Sequence, residues 1–408
     1  AMACFGGNAP WAAGGLAVLG LLGFALLIAN SSIYAGSMRS LAFRLFGWLL
    51  PVWLALAALA VGLKFPSYHL VTLNGQSAWE LLPPSSAFLP GQGPLTISGF
   101  RTLVTVGLYS ATLSAMLLCK NRLVFARTWA MLVFCAAAFA GLGLVQFGTH
   151  TAQILWIVPL DNPHFFSTFP HSAQWCAFAL LWLGAALGVL GWLVRQRGWR
   201  WLNGEGWGLL ISAVLLGLSI VVVGDPLHVI LALLVGAVGC LIIAWQTRAD
   251  RAKTKHGGLS FGVVAWAVIG LALFGVAAAS TVRHPLDTWI NYAGGGAAMH
   301  DRVIEDTQTM WRQRPWFGWG AGSFGVVYSF FQGADQSPLY FAFARSDFWQ
   351  SLAEHGIIGT VAWCVPVLWV LARLVWQRRL AIFLCAPLAG LAAVVALAFV
   401  DFPFACPA

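Results

Sequence analysis

The sequence predicts an all-α polytopic membrane bundle of about ten transmembrane helices, and three observations predict it. Hydrophobic residues fill 60% of the 408 positions and charged residues only 9%. A soluble domain carries roughly 25% charged residues, so this chain has too little charge to cover a water-facing surface. Long apolar runs recur along it, each close to the about 20 residues a helix needs to cross a bilayer. Basic residues gather in alternate loops between those runs. A mean hydropathy of +0.81 and 22 Trp, whose indole favours the membrane interface, point the same way.

The runs fall near residues 11–29, 43–63, 101–119, 129–147, 173–194, 207–223, 227–245, 259–281, 348–372 and 381–400. The first lacks a basic lead and continues at span length, so no cleavable signal peptide is expected. One set of loops holds Arg39 and Arg44; Lys120, Arg122 and Arg127; Arg195, Arg197 and Arg200; Arg248, Arg251, Lys253 and Lys255; and Arg373, Arg378 and Arg379. These are 15 of the 22 Lys and Arg. By the positive-inside rule this set is cytoplasmic, which puts both ends of the chain outside. Residues 1–281 then carry eight spans, 282–347 an outward loop with a cap helix, and 348–408 the last two spans.

The net charge of +9 does not indicate a nucleic-acid partner, because the basic residues lie in short loops beside spans. The eight Cys show no CxxC or metal-ligand spacing and lie mostly in apolar runs. They read as small buried hydrophobes, with no zinc site or disulfide framework.

Function is expected in the long outward loops, where polar groups concentrate. Residues 148–172 include His150, Asp161, His164 and His171, and residues 282–347 hold five Arg and five acids. From His300 to Arg314, Val303, Ile304, Thr307, Met310 and Trp311 recur at helical spacing. Asp301 is expected to cap this helix, with Arg302 in its first turn, where the helix dipole favours an anion. Gly318-Trp319-Gly320-Ala321-Gly322 follows with no strand before it, which favours a packed turn over a nucleotide loop. Arg345, Ser346, Asp347 and Gln350 cluster where the loop re-enters the bilayer. Arg302 and Arg345 flanking one cavity would clamp a diphosphate without a metal; otherwise both pair with the loop's acids and with lipid headgroups.

These stretches resemble the O-antigen ligase and polymerase superfamily of bacterial surface-polysaccharide proteins. The resemblance rests on Arg302 through Trp311, on Pro315-Trp316-Phe317-Gly318-Trp319-Gly320-Ala321-Gly322-Ser323-Phe324, and on Ser346 through Gln350 to Glu354-His355-Gly356-Ile357-Ile358-Gly359. Ser167-Thr168-Phe169 through Ala177 and Asp401-Phe402-Pro403-Phe404 with Pro407-Ala408 are also similar, so it covers most of the chain from about residue 100. It implies a type C glycosyltransferase arrangement in the bacterial inner membrane. The implied activity is transfer of a glycan from a polyprenyl-diphosphate donor to an acceptor sugar on the outer face, with no nucleotide, metal or other cofactor. In that family Arg residues hold the diphosphate, and a His in a His-Asn pair activates the acceptor hydroxyl.

The chain departs from the pattern at the chemistry. Arg345-Ser346 stands where the family has His-Asn, and an Arg stays protonated and is no ordinary general base. Asp225-Pro226-Leu227-His228 stands where the family tends to have Ser-Arg-Gly. The candidates left are Asp347 as base or as helix cap, Arg345 beside it, and Arg302, His228, His171 and Gln350 for substrate. Three readings follow: a transferase with a re-sited base, an inactive binding or scaffold subunit with protein partners in the membrane, and a transporter. The absence of inverted repeats disfavours the last.

Overall fold

The computed structural model describes residues 18, 22, 68–73, 76–81, 122–151, 153–156, 158–159, 165–169, 171–197, 205–251, 297–320, 322–333, 341, 343–376 and 384–403. The runs expected at 43–63, 101–119 and 259–281, and all of 11–29 but Val18 and Leu22, lie outside them. The described chain is mostly helical: α1 Arg122–Gly148, α2 Ser172–Arg197, α3 Glu205–Val223, α4 Pro226–Arg251, α5 Ala297–Gln313, the short α6 Phe324–Val327, α7 Asp347–Trp376 and α8 Cys385–Leu397. Each of α1 to α4 contains a stretch long and apolar enough to cross a membrane. This is a membrane protein.

The all-α expectation needs one correction. Between the expected second and third spans lies an antiparallel hairpin of β1 Tyr68–Leu73 and β2 Gln76–Leu81, with Leu73 opposite Gln76. The strands flank Asn74-Gly75, the dipeptide most typical of two-residue hairpin turns. A second, two-residue pairing joins β3 Gln153–Ile154 to β4 Val158–Pro159.

Helix α2 is the centre of the bundle, in contact with α1, α3, α4 and α8. The approach to α8 is close because both helices carry glycine at the crossing. A Cβ on Gly184 would stand 2.6 Å from the Ala386 carbonyl oxygen, and one on Gly390 2.9 Å from that of Leu180. In lipid, where the hydrophobic effect does not drive helices together, this kind of small-residue contact holds them through packing. Trp175 adds a polar tie to α3, its indole N–H donating to Ser219 Oγ at 3.1 Å. Trp175 also lies against Phe166 and Phe169. These belong to a tight turn in which Phe166 and Phe169 exchange both backbone hydrogen bonds and Ser167 takes a φ of 55°.

A second core forms under the outward loop. Val303, Met310, Trp319, Phe324, Val327, Tyr328, Ala344 and Ala353 are fully buried against one another. Val303, Thr307 and Met310 form the buried face of α5, as their spacing predicts, and Arg302 lies exposed beside it. The helix starts at Ala297, so Asp301 is not its cap and Arg302 is beyond its first turn.

Candidate functional site

The motif-rich stretch from Pro315 to Phe324 is built for structure. Helix α7 breaks at Gly356, whose φ of 66° and ψ of −174° leave the helical region. A helix broken there separates the Ala353 and Glu354 carbonyls from the Ile357 and Ile358 N–H groups, their natural partners. The loop takes both sides of the gap. Trp319 N–H donates to Ala353 O at 2.8 Å and Gly320 N–H to Glu354 O at 2.8 Å. Ile357 N–H donates to Pro315 O at 2.8 Å and Ile358 N–H to Trp316 O at 3.1 Å.

The Glu354 side chain, fully buried, continues the same role. It accepts from Gly322 N–H at 2.8 Å, Phe324 N–H at 3.3 Å and Gln350 Nε2 at 3.1 Å. Gln350 spends its oxygen on Ala344 N–H at 3.1 Å. The N–H groups of Trp319, Gly320 and Gly322 are therefore spent on α7, and that of Gly318 on Arg314 O at 3.1 Å. Gln350, expected to bind substrate, ties Ala344 to α7. Arg314 is buried with its guanidinium 4.5 Å from the Trp319 ring centre.

A different polar group assembles where helix ends meet. The starts of α2, α4 and α7 come together with the end of α8. Asp347 N–H donates to Asp401 O at 3.0 Å, Phe348 N–H to Ala398 O at 3.0 Å and Ser346 Oγ to Ala398 O at 3.2 Å. His228, in the first turn of α4, places Nε2 3.6 Å from Asp401 Oδ2. That is beyond hydrogen-bond range, and neither ring nitrogen of this buried His makes a hydrogen bond. A Cβ on Gly224 would stand 3.0 Å from His228 Cβ and 3.1 Å from Cys176 Sγ, so the buried thiol of α2 is close by. His171 meets the Phe402 ring edge-on at 5.3 Å, and Phe343 stacks on Phe402 at 5.5 Å with planes 6° apart.

Burial pushes the Asp401 carboxyl up to about 6; Asp225 raises it too, while the Phe402 N–H and Arg345 pull it down. Arg345 and Asp225 are thus both within electrostatic reach of it. Arg345 is exposed and holds a φ of 53°, unusual for a residue with a side chain. Ser346 caps α7, its Oγ accepting from Trp349 N–H at 3.4 Å. Asp347 sits in the first turn, where its charge suits the dipole.

The cap holds its own pair. Tyr328 Oη donates to Asp306 Oδ2 at 3.2 Å. Burial raises the Asp306 carboxyl, with Arg302 among the groups lowering it, and burial followed by Asp306 raises the Tyr328 phenol. Arg302 acts on Asp306 in the cap and Arg345 on Asp401 at the helix ends.

Of the six residues singled out from sequence, His228, Arg345, Asp347 and His171 come together, while Arg302 and Gln350 serve the cap and its attachment. Asp401 and Asp225 were missed as site residues. Both stand in quoted motifs, but nothing in their spacing signals that α4 and α8 meet. Among the described residues, no three of His, Cys, Asp and Glu are grouped as metal ligands. Set against family models, curated proteins and solved structures, the chain matches none of them.

Proposed function

We propose that the helix-end cluster is the site of an outer-face glycan transfer from a polyprenyl-diphosphate donor to an acceptor sugar, with Asp401 as the base. The carrying observation is a half-buried carboxyl raised to about 6, within electrostatic reach of the exposed Arg345 and 3.6 Å from Nε2 of the buried His228. A base works best with a pKa near the working pH. Arg345 and the starts of three helices supply positive potential for a leaving diphosphate.

The acceptor hydroxyl passes its proton to Asp401 as its oxygen bonds the donor's anomeric carbon. The bond from that carbon to the phosphate oxygen breaks with its electron pair, and the proton on Asp401 is then released to solvent. This reading moves the base from Asp347 to Asp401, whose carbonyl the Asp347 N–H holds. It fits a ten-span chain in the bacterial inner membrane with these helix ends and both chain ends outside, as the basic-loop alternation predicts.

The test is lipid-linked oligosaccharide transfer by the purified protein beside Asp401→Asn, Arg345→Ala, Arg302→Ala and Asp347→Asn. Loss in the first two, with activity kept in Asp347→Asn, supports the reading. Folded protein that neither binds nor transfers from a polyprenyl-diphosphate donor refutes it. A binding or scaffold subunit then stands, the reading favoured by the burial of His228 and the internal use of Gln350 and Glu354.

A further inference from the structure

We infer that the 315–320 loop lies against the outer leaflet of the bilayer, with the Trp316 indole seated among lipid glycerols and upper acyl chains. The inference stands apart from the transfer reading and concerns a face which that reading does not use. Its first support is where the loop joins α7. Pro315 O and Trp316 O accept from the N–H groups of Ile357 and Ile358, so Trp316 stands beside the part of the helix that follows the break. Gly356 is nine residues beyond Asp347, roughly 14 Å along a helix at about 1.5 Å per residue. The loop therefore meets α7 well along its length, away from the cluster of helix ends. Residues 357–376 carry a single charge, Arg373, and their length matches the about 20 residues of a span.

Exposure supplies the second support. Ile357, Ile358 and Val361 are exposed on α7, and Trp316 is exposed on the loop bonded to it. The charged residues at this join, Arg314 and Glu354, are both buried, which leaves the outer face apolar. Arg312, exposed four residues ahead of Trp316, completes the pairing of indole and cation that anchors proteins at the membrane interface. The third support is the backbone. Lipid tolerates irregular chain only where the protein itself satisfies the polar groups. The N–H groups of Gly318, Trp319 and Gly320 are all spent on carbonyls, and the Arg314, Pro315 and Trp316 carbonyls all accept. A loop with its groups matched in this way can lie in lipid without opening its backbone to water.

Fluorine NMR on the full chain, labelled with fluorotryptophan and held in phosphatidylcholine nanodiscs, tests this. The Trp316 line is the one missing from Trp316→Phe, or from Trp316→Tyr if the first variant does not accumulate. Trp245, exposed on α4 within a stretch of membrane-spanning length, is assigned in the same way as a lipid-facing reference. Phosphatidylcholine carrying a doxyl group high on its acyl chain should broaden the Trp316 line to loss, as it does the Trp245 line. A water-soluble gadolinium chelate should leave the Trp316 line in place. Broadening by the chelate at least as strong as by the doxyl lipid overturns the inference and makes the loop aqueous. Broadening by neither probe, while Trp245 responds to the lipid, overturns it too and puts protein over the indole.

Discussion

Two polar regions lie on either side of the first turns of α7, and they treat their hydrogen bonds in opposite ways. Around Gly356, freed carbonyls and N–H groups meet partners on the 315–320 loop, and Glu354 takes three donors. Around Asp401, a buried His makes no hydrogen bond, a carboxyl is raised, and an Arg holds a left-handed backbone. The first region carries the densest sequence motif and leaves the Ser323 hydroxyl unmatched, while the second leaves both nitrogens of a buried His unmatched. A buried polar group left unsatisfied costs free energy, so a stable fold keeps such groups mainly where something else uses them. In this chain the dense motif goes with the lock, and the unmatched imidazole goes with the proposed site.

The sharpest way to break this contrast is at the lock. Gly356→Ala adds a Cβ that collides with the Trp316 backbone and forces a left-handed φ on a residue with a side chain. It should cost about 3 kcal/mol or more, seen as failure to accumulate or a large fall in Tm in detergent. Glu354→Gln comes next. It removes the charge from an acceptor of three hydrogen bonds and should cost about 2–3 kcal/mol. If this variant keeps wild-type Tm and loses transfer, Glu354 belongs to the site and the contrast fails.

At the open region, effects on stability are smaller and depend on pH. The Asp401 carboxyl is raised in the folded state to about 6, above the usual 3.9, so the fold binds the extra proton. Its stabilising share is complete below about pH 4 and is lost as pH rises through 6. Wild type should therefore lose on the order of 1–3 kcal/mol from this group between pH 4 and 7. Asp401→Asn should flatten that slope in Tm-versus-pH curves. Activity should run the other way, rising through pH 6 as the base ionises.

The finest comparison is between neighbours. Ser346→Ala should cost about 1 kcal/mol as a lost cap, and Asp347→Ala about 0.5 kcal/mol as a lost dipole partner. Equal losses would mean that Asp347 shares the capping.

Much of the architecture was legible because it is periodic. Runs read at 129–147, 173–194, 207–223, 227–245, 348–372 and 381–400 fall on α1 to α4, α7 and α8. The amphipathic stretch from His300 falls on α5. The cap at Asp301 was misread, since the helix begins four residues earlier at Ala297 and the residues between carry no helix-breaking signal. The break at Gly356 was invisible because its cause lies forty residues away by chain, in the Pro315–Trp316 carbonyls. Asp401 meets His228 only because glycines let α8 lie against α2 beside α4, and no local spacing encodes that contact.

The break in α7 also bears on the order in which the protein is made. Four backbone groups left unmatched away from water would each cost about 1–3 kcal/mol. The 315–320 loop that matches them precedes α7 in the chain, so synthesis delivers it first. A permuted chain that made α7 before this loop would leave the broken helix unmatched until the loop followed, whereas the natural order supplies the splint in advance.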